Sequence, residues 1–325
     1  MVRPGMPAVP GAHGPNELTR REMLMGTAGV LAASAAAQGA KEREGRALRV
    51  RFCLNTATIR GQKLPLMKEV EIAAKAGYSG IEPWIGEIDA HVAAGGTLRE
   101  LAAAIKDAGL VVESAIGFPE WVVDEDGRRE KGLEEARRAM DLVAQLGGTR
   151  LAAPPAGATD RGDIHPLTIA ERYRALCALG QEMGVTPMLE VWGFSRCVRR
   201  LGEAAHVVLE TDHPRAAILA DVYHLYKGGS PVSGLRLLQG ALLPVFHMND
   251  YPTRLPPETI GDGDRVFPGD GNAPLSRILS DLNAIGFEGA LSLELFNRDY
   301  YQRDALEVAR TGLEKMKQAV AAAAG

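Results

Sequence analysis

The 325-residue chain is poor in the residues that mark several classes of protein. It contains three cysteines, and Cys53, Cys177 and Cys197 do not form the CxxC spacing of a zinc knuckle or a redox pair. Aromatic residues make up 5% of the chain, which disfavours a surface built to stack nucleobases. The formal net charge is −4, from 37 basic and 41 acidic residues, whereas nucleic-acid-binding proteins usually carry a basic surplus. We therefore expect no nucleic acid partner.

The chain also lacks a long apolar run near its N-terminus. Residues 23–37 are apolar and rich in alanine, but they are fewer than the roughly 20 that a transmembrane helix needs. Arg20 and Arg21 precede this run, and the small residues at its end suit a signal peptidase. Residues 1–40 thus resemble a twin-arginine export signal, although Met23 replaces the usual Phe. The resemblance implies export of the folded protein to the periplasm, without stable membrane insertion after cleavage; a disordered tail is the alternative.

Beyond residue 47, short apolar runs alternate with longer segments of helical periodicity. The intervening segments predict helices, several of which end at a glycine such as Gly77, Gly109 or Gly184. The alternation predicts one α/β domain over residues 48–322, a (β/α)8 TIM barrel. An open doubly wound sheet is the alternative, but no GxGxxG motif follows the first strand. The apolar runs predict eight buried parallel strands at residues 48–54, 79–83, 110–116, 150–153, 186–191, 217–221, 244–248 and 289–294.

Ionisable side chains end four consecutive predicted strands: Glu190, Asp221, His247 and Glu294. Charges inside a parallel sheet cost free energy unless they are paired or bind a metal. Because the carboxyl ends of barrel strands meet at one mouth, we expect these side chains to face one point. Three carboxylates and one imidazole suit a single divalent ion, foremost Mn²⁺, with Mg²⁺, Co²⁺ or Zn²⁺ as alternatives.

Each of these residues has a plainer interpretation when it is taken alone. A single strand-end glutamate often pairs with a barrel arginine or lysine, and His247 alone would more often be a hydrogen-bonded core histidine. Four such residues at matched positions of consecutive strands are harder to explain in this way. The metal site is therefore the favoured interpretation.

Several segments resemble the xylose isomerase-like barrels of the sugar phosphate isomerase/epimerase superfamily. The segments are residues 80–84 (GIEPW), 189–192 (LEVW), 221–224 (DVYH), 247–251 (HMNDY) and 265–271 (RVFPGDG), with Glu294 closing the pattern. The resemblance implies that residues 190, 221, 247 and 294 bind the metal, and that His224 and Arg265 contact substrate oxygens. Without it, His224 could be a surface histidine and Arg265 a solvated loop charge.

Other residues near the predicted strand ends have two interpretations each. Glu82 and Trp84 could line the substrate pocket or simply close the barrel mouth. Phe118, Trp121 and Trp192 could form an apolar wall of the pocket or belong to the core.

The resemblance implies a metal-dependent isomerase or epimerase that acts on a small sugar or polyol-derived carbonyl compound through an enediolate. Glu190 and Glu294 would then be its acid and base. Expulsion of a hydroxyl group from the same intermediate would give a dehydratase, as in the inosose dehydratases of the superfamily. Ketose 3-epimerases carry a further glutamate six residues after the first ligand, where this chain has Arg196, which could suit an acidic substrate.

Two further functions are weighed against this one. An endonuclease IV-like phosphodiesterase would need more histidines than the second and third predicted strands provide. A non-catalytic sugar-binding barrel would keep the fold without the chemistry. The sequence identifies neither the sugar nor the oligomeric state, and a homo-oligomer is compatible with it.

Overall fold

The computed structural model describes residues 48–252 and 254–323. The predicted export signal, residues 1–40, lies outside them. The eight parallel strands are β1 (Arg51–Asn55), β2 (Gly80–Glu82), β3 (Val111–Val112), β4 (Arg150–Ala153), β5 (Thr186–Glu190), β6 (Ala217–Asp221), β7 (Val245–Met248) and β8 (Ala290–Leu293).

The strands form one sheet in the order β3-β2-β1-β8-β7-β6-β5-β4. A parallel bridge between Ala115 and Leu151 joins the chain just beyond β3 to β4, so the sheet closes on itself. This closed parallel sheet confirms the predicted TIM barrel. The open doubly wound alternative is wrong.

At least one helix follows each strand. The helices are α1 (Leu66–Ala76), α2 (Ile85–Ala93), α3 (Leu98–Asp107), α4 (Asp126–Gln145), α5 (Pro166–Met183), α6 (Leu201–Thr211), α7 (Val222–Lys227), α8 (Leu275–Ala284) and α9 (Ala305–Ala323). Short 3₁₀ helices span Thr56–Gln62, Val232–Leu237, Gly240–Leu242, Asp262–Asp264 and Tyr300–Gln302. Within the part of the chain that is described, no helix is long and apolar enough to span a bilayer.

Local sequence explains several helix ends. Thr97 caps α3 by accepting a hydrogen bond from the Glu100 backbone, and the Glu100 side chain accepts one from the Thr97 backbone in return. Gly184 follows α5 with φ of 72°, a left-handed conformation that glycine adopts without steric cost. The glycines noted in the sequence thus end helices shortly before the next strand begins.

The third predicted strand is shorter than residues 110–116. The chain changes its hydrogen-bond partner there, because the Glu113 backbone N–H donates to Ile81 of β2 and the Ala115 N–H donates to Arg150 of β4. A regular ladder with one neighbour therefore ends after Val112.

The packing of the barrel interior explains the direction of the polar side chains at the strand ends. Alternate residues of a strand face opposite sides of the sheet. A small apolar cluster containing Cys53, Met188, Leu219 and Val245 packs apart from the larger core that includes the helices. Asn55, Glu190, Asp221 and His247 each follow one of these interior residues by two positions, so they form the next layer toward the barrel mouth.

Candidate metal centre

Three of the four predicted ligands come together at the barrel mouth. Asp221, His247 and Glu294 each offer a ligand atom, and these atoms lie within 4.8 Å of one another. The Nδ1 atom of His247 is 3.2 Å from Glu294 Oε2 and 3.8 Å from Asp221 Oδ2. All three residues are buried, and His247 Nδ1 has no well-aligned hydrogen bond. A buried imidazole nitrogen that faces two carboxylates in this way fits a divalent metal ligand.

Glu190 lies at the same site but outside this tight group. It ends β5, lines the cavity at the barrel mouth and is buried. Its Oε2 atom has no hydrogen-bond partner. Buried carboxylate oxygens normally have partners, so this atom fits a ligand for a bound cation.

Burial and the neighbouring charges shift the pKa values of the carboxyl groups in this site in opposite directions. Burial, with the nearby Glu294 carboxylate, raises the pKa of Glu190 to about 8. Burial also acts to raise the pKa of Glu294, but the charges of His247 and Arg265 hold that pKa well below its usual range. Burial is the main reason that the pKa of Asp221 is raised. Closely spaced buried carboxyl groups of this kind are stabilised by a cation.

Glu82 orients the histidine. His247 Nε2 lies 3.0 Å from Glu82 Oε2, which also accepts hydrogen bonds from Asn55 Nδ2 at 3.0 Å and Ser292 Oγ at 2.7 Å. The bond assigns the ring proton to Nε2 and leaves Nδ1 free to bind a metal, as is common for metal-binding histidines. Although burial lowers it, the pKa of His247 is raised well above its usual value by Glu294 and Glu82. Glu82 thus lies behind His247 and does not line the cavity.

Arg265 bridges two of the predicted ligands. Its Nη1 donates to Asp221 Oδ2 at 3.0 Å and to Glu294 Oε2 at 2.8 Å. Its Nη2 donates to Asp262 Oδ1 at 2.6 Å, and the guanidinium lies over the Tyr223 ring. Arg265 is only 1% exposed, so it is not a solvated loop charge.

His224 follows Asp221 at the start of α7 and is also buried. Its backbone N–H donates to Asp221 Oδ1, and its Nδ1 accepts from the Gly193 backbone N–H at 3.2 Å. Burial, together with the charge of Arg265, lowers the pKa of His224 well below its usual value. The imidazole is therefore neutral, and its Nε2 atom lies 3.3 Å from Arg265 Nη2.

The loop that carries Arg265 is held by Asp250. Asp250 Oδ1 accepts from the backbone N–H groups of Tyr251 and Ala273 at 2.7 and 2.8 Å. Its Oδ2 accepts from those of Gly269 and Gly271 at 2.9 and 3.1 Å. A Cβ at Gly271 would lie 2.4 Å from the Asp250 carboxylate, so only glycine fits there. One side chain thus holds the loop after β7 in place through its backbone N–H groups.

A cavity of about 190 Å³ opens above the site. Its floor is polar and its walls are aromatic; the lining residues are Trp84, Ile116, Phe118, Glu190, Trp192, Phe194, His224, Asp262, Arg265, Glu294 and Phe296. The rings touch in sequence, with centroids 5.2 Å apart for Trp84–Phe118 and 5.9 Å for Phe118–Trp192. Such a cavity offers flat aromatic faces to the C–H groups of a ligand.

Some of the predicted residues do not line this cavity, and some residues that line it were not predicted. Trp121 packs against Tyr173 in the core and does not line it. Arg196 is exposed and lies beside Gly162, outside the lining. Asp262 and Phe296 line the cavity, and sequence reasoning missed both. The position of Phe296 two residues beyond Glu294 is the signal that could have identified it.

Asn55, which sequence reasoning also missed, connects the site to its aromatic wall. Its Nδ2 donates to Glu82 Oε2 and, at 3.1 Å, to Glu294 Oε1. Its Oδ1 accepts from the Trp84 indole N–H at 2.9 Å. Trp84 is therefore fixed to the same hydrogen-bond network as the candidate metal ligand Glu294.

Known proteins share this fold and parts of this sequence. The chain is 28% identical to an inosose isomerase from Bacillus licheniformis over 83% of this chain and 98% of that protein. It is 25% identical to a 3-dehydroshikimate dehydratase from Pseudomonas putida over 77% of this chain and 39% of that protein. Among solved structures, the IolI protein with a bound zinc atom superposes with a TM-score of 0.78 at 23% identity, covering 84% and 98% of the two chains.

The family match covers most of the barrel. Residues 70–319 match the xylose isomerase-like TIM barrel family, and this segment contains the four strand-end residues and the loop that carries Arg265. The match agrees with the closed parallel sheet and with the position of the site at its carboxyl end. The chain belongs to the xylose isomerase-like TIM barrel family.

Proposed function

We propose that the protein is a divalent-metal-dependent isomerase or epimerase that acts on a sugar or polyol-derived carbonyl compound through an enediolate. The observation that carries the proposal is the buried group of Asp221, His247 and Glu294, with ligand atoms within 4.8 Å of one another beneath a small aromatic-walled cavity. Similarity to an inosose isomerase supports the reaction class.

These three residues and Glu190 would hold the ion. The unpartnered Glu190 Oε2 and His247 Nδ1 support this assignment. When bound, the ion supplies a Lewis acid that polarises a substrate carbonyl and acidifies the neighbouring C–H. We propose Mn²⁺ as the ion; the zinc atom in the IolI structure makes Zn²⁺ the first alternative to test.

Glu190 and Glu294 carry the proton transfers in this proposal. They extend from β5 and from the end of β8, with β6 and β7 between them, and both line the cavity. One carboxylate removes the proton next to the carbonyl. Return of a proton by the other glutamate, which is then a protonated carboxyl group, on the opposite face gives epimerisation. Removal and return of the proton by one glutamate between neighbouring carbons gives isomerisation.

The remaining polar groups of the cavity stabilise the enediolate. His224 and Arg265 both line the cavity, and in this proposal they contact the substrate oxygens. The Trp84, Phe118 and Phe296 rings exclude water and cover the apolar faces of the substrate.

Dehydration is the second candidate reaction. It uses the same enediolate and differs in the loss of a hydroxyl group from the neighbouring carbon. Similarity to a 3-dehydroshikimate dehydratase favours it. The endonuclease alternative is disfavoured because β2 and β3 contain no histidine for further metal ions.

The test is incubation of the Mn²⁺-loaded protein in D₂O with ketoses, inososes and cyclic keto acids, followed by NMR. Deuterium at a carbon next to the carbonyl identifies enolisation and the substrate, and a new alkene signal identifies dehydration. We expect Glu190→Gln and Glu294→Gln to lower the exchange rate at least about a hundredfold. Glu69→Gln, another buried carboxyl group outside the site, is the matched control. Full exchange in both site variants would refute the proposal, and ligand binding without any exchange would favour a non-catalytic sugar-binding protein.

A further inference from the structure

Arg60 has an unpaired guanidinium beside the metal cavity. It lies in the Thr56–Gln62 segment after β1, and its guanidinium carbon stacks 3.8 Å from the centroid of a Trp84 ring. In the described parts of the chain, its side-chain N–H groups have no hydrogen-bond acceptor or ion-pair partner. A guanidinium carries five N–H donors, so this group is available to a ligand.

Arg60 lines a second cavity that adjoins the first. This cavity has a volume of about 310 Å³ and also contains Glu87, Asp89, Glu135 and Arg138. It shares Trp84, Ile116 and Phe118 with the metal cavity. Phe118 is 39% exposed and forms part of the rim between the two. A ligand bound in the metal cavity would therefore lie next to the cavity that Arg60 lines.

Most other charges of the second cavity already have partners. Arg138 binds Asp89 through two hydrogen bonds of 2.7 and 3.1 Å. Glu87 accepts hydrogen bonds from the Trp84 backbone N–H at 3.0 Å and from Thr56 Oγ1 at 2.5 Å. Glu135 is exposed. Among the residues lining this cavity, Arg60 is thus the cation whose donors remain for a ligand.

Trp84 couples Arg60 to the metal centre. One face of the indole carries the Arg60 guanidinium, and the indole N–H is held by Asn55, which also donates to Glu294. This contact places the guanidinium against a fixed aromatic surface. The orientation of the unpaired donors is therefore set by the same network that supports the site.

We propose that Arg60, stacked on Trp84, binds a carboxylate of the substrate, and hence that the substrate is a hydroxy-ketone or hydroxy-aldehyde bearing a carboxylate. The identity of the carbonyl end rests on the proposed function. A carboxylate matches the planar edge of a guanidinium with two parallel hydrogen bonds. A dianionic phosphate fits less well, because the carboxylates of Glu87, Asp89 and Glu135 line the same cavity and repel a dianion more strongly than a monoanionic carboxylate.

The test compares an acid with its methyl ester, which lacks the negative charge of the carboxylate. Binding of shikimate and of its uncharged methyl ester to the Mn²⁺-loaded protein is measured by calorimetry. We expect the wild type to bind the acid about tenfold or more tightly than the ester. Arg60→Gln should abolish that preference, and Arg60→Lys should keep part of it because the charge remains without the planar fork. Arg138→Gln, which removes the other guanidinium of the cavity, is the matched control and should keep the full preference.

Three outcomes would overturn the proposal. The first is a wild type that binds the acid no better than the ester. The second is an Arg60→Gln variant that loses both ligands equally, which would mean that Arg60 only holds Trp84 in place. The third is an equal loss of preference in the two arginine variants. Arg60-dependent binding of the acid, with no exchange in the D₂O assay for any carbonyl compound, would leave the carboxylate site standing and reject the proposed function.

Discussion

Replacing Glu82 is expected to weaken divalent-metal binding, although Glu82 lies outside the proposed set of ligands. The residue ends β2 at full burial, and its Oε2 atom accepts hydrogen bonds from His247, Asn55 and Ser292. The bond to His247 fixes the ring and makes Nδ1 more basic. Loss of such a carboxylate typically lowers metal affinity by about tenfold to a hundredfold.

The structure indicates where in that range each substitution should fall. Glu82 Oε1 has no partner, so a glutamine can place its amide nitrogen there and keep all three hydrogen bonds on its oxygen. Glu82→Gln then loses the negative charge and buries an amide N–H₂ group for which the described residues provide no acceptor, and we expect at least about a tenfold weaker Kd, or about 1.4 kcal/mol. Glu82→Ala also releases the ring and leaves three buried donors unpaired, so its loss should approach about a hundredfold.

The assay is titration of metal-free protein with Mn²⁺ against a competing chelator. Glu69→Gln serves as the control, because Glu69 is a buried carboxyl group that makes no contact with the ligands. Circular dichroism of each variant confirms that it is folded. If both Glu82 variants bound Mn²⁺ within about twofold of the wild type, the role assigned to Glu82 in orienting His247 would be refuted.

Three further predictions concern stability, loop order and export. Burial and the charge of Glu87 raise the pKa of Glu69 to about 8 from 4.5, so the folded state holds this proton longer than the unfolded chain and stability falls as pH rises between those values. Glu69→Gln should therefore raise the free energy of unfolding in urea by a few kcal/mol at pH 9 and change it little at pH 4. Asp250→Ala should increase hydrogen exchange at the backbone amides that Asp250 now binds, because they lose their acceptor. Replacing Arg20 and Arg21 by lysine should keep the full-length protein in the cytoplasm, as cell fractionation would reveal.

Each of these predictions has a result that contradicts it. Equal pH dependence in the wild type and Glu69→Gln would show that Glu69 does not carry the linkage. Unchanged exchange in the loop of Asp250→Ala would show that other contacts hold the loop. Export of the double lysine variant at the wild-type level would reject the twin-arginine signal.

The barrel could be predicted because its signals are local. Each strand is a short apolar run, and several intervening helices end at a glycine, so the eight strands can be located without knowledge of distant contacts. The metal centre follows from the same periodicity. Glu190, Asp221 and His247 each stand two residues beyond an interior apolar residue of the same strand, which places them on the inner side of the barrel mouth.

The parts that could not be predicted depend on contacts between distant residues. Nothing near Glu82 in the sequence indicates that it contacts His247, which is 165 residues away. The stacking of Arg60 on Trp84 depends on how the segment after β1 packs against the end of β2. Arg196 stands at a suggestive spacing from Glu190, but the loop after β5 turns it toward solvent beside Gly162.

The central claim is that the barrel mouth binds one divalent ion through its strand-end residues. Elemental analysis of the purified protein, after dialysis against Mn²⁺ and removal of free metal, tests it most directly. We predict one tightly bound ion per chain in the wild type and loss of most of it in a folded Asp221→Ala variant, since Asp221 contributes to the buried ligand group. A wild type without stoichiometric metal, or an Asp221→Ala variant that retains all of it, would contradict the account.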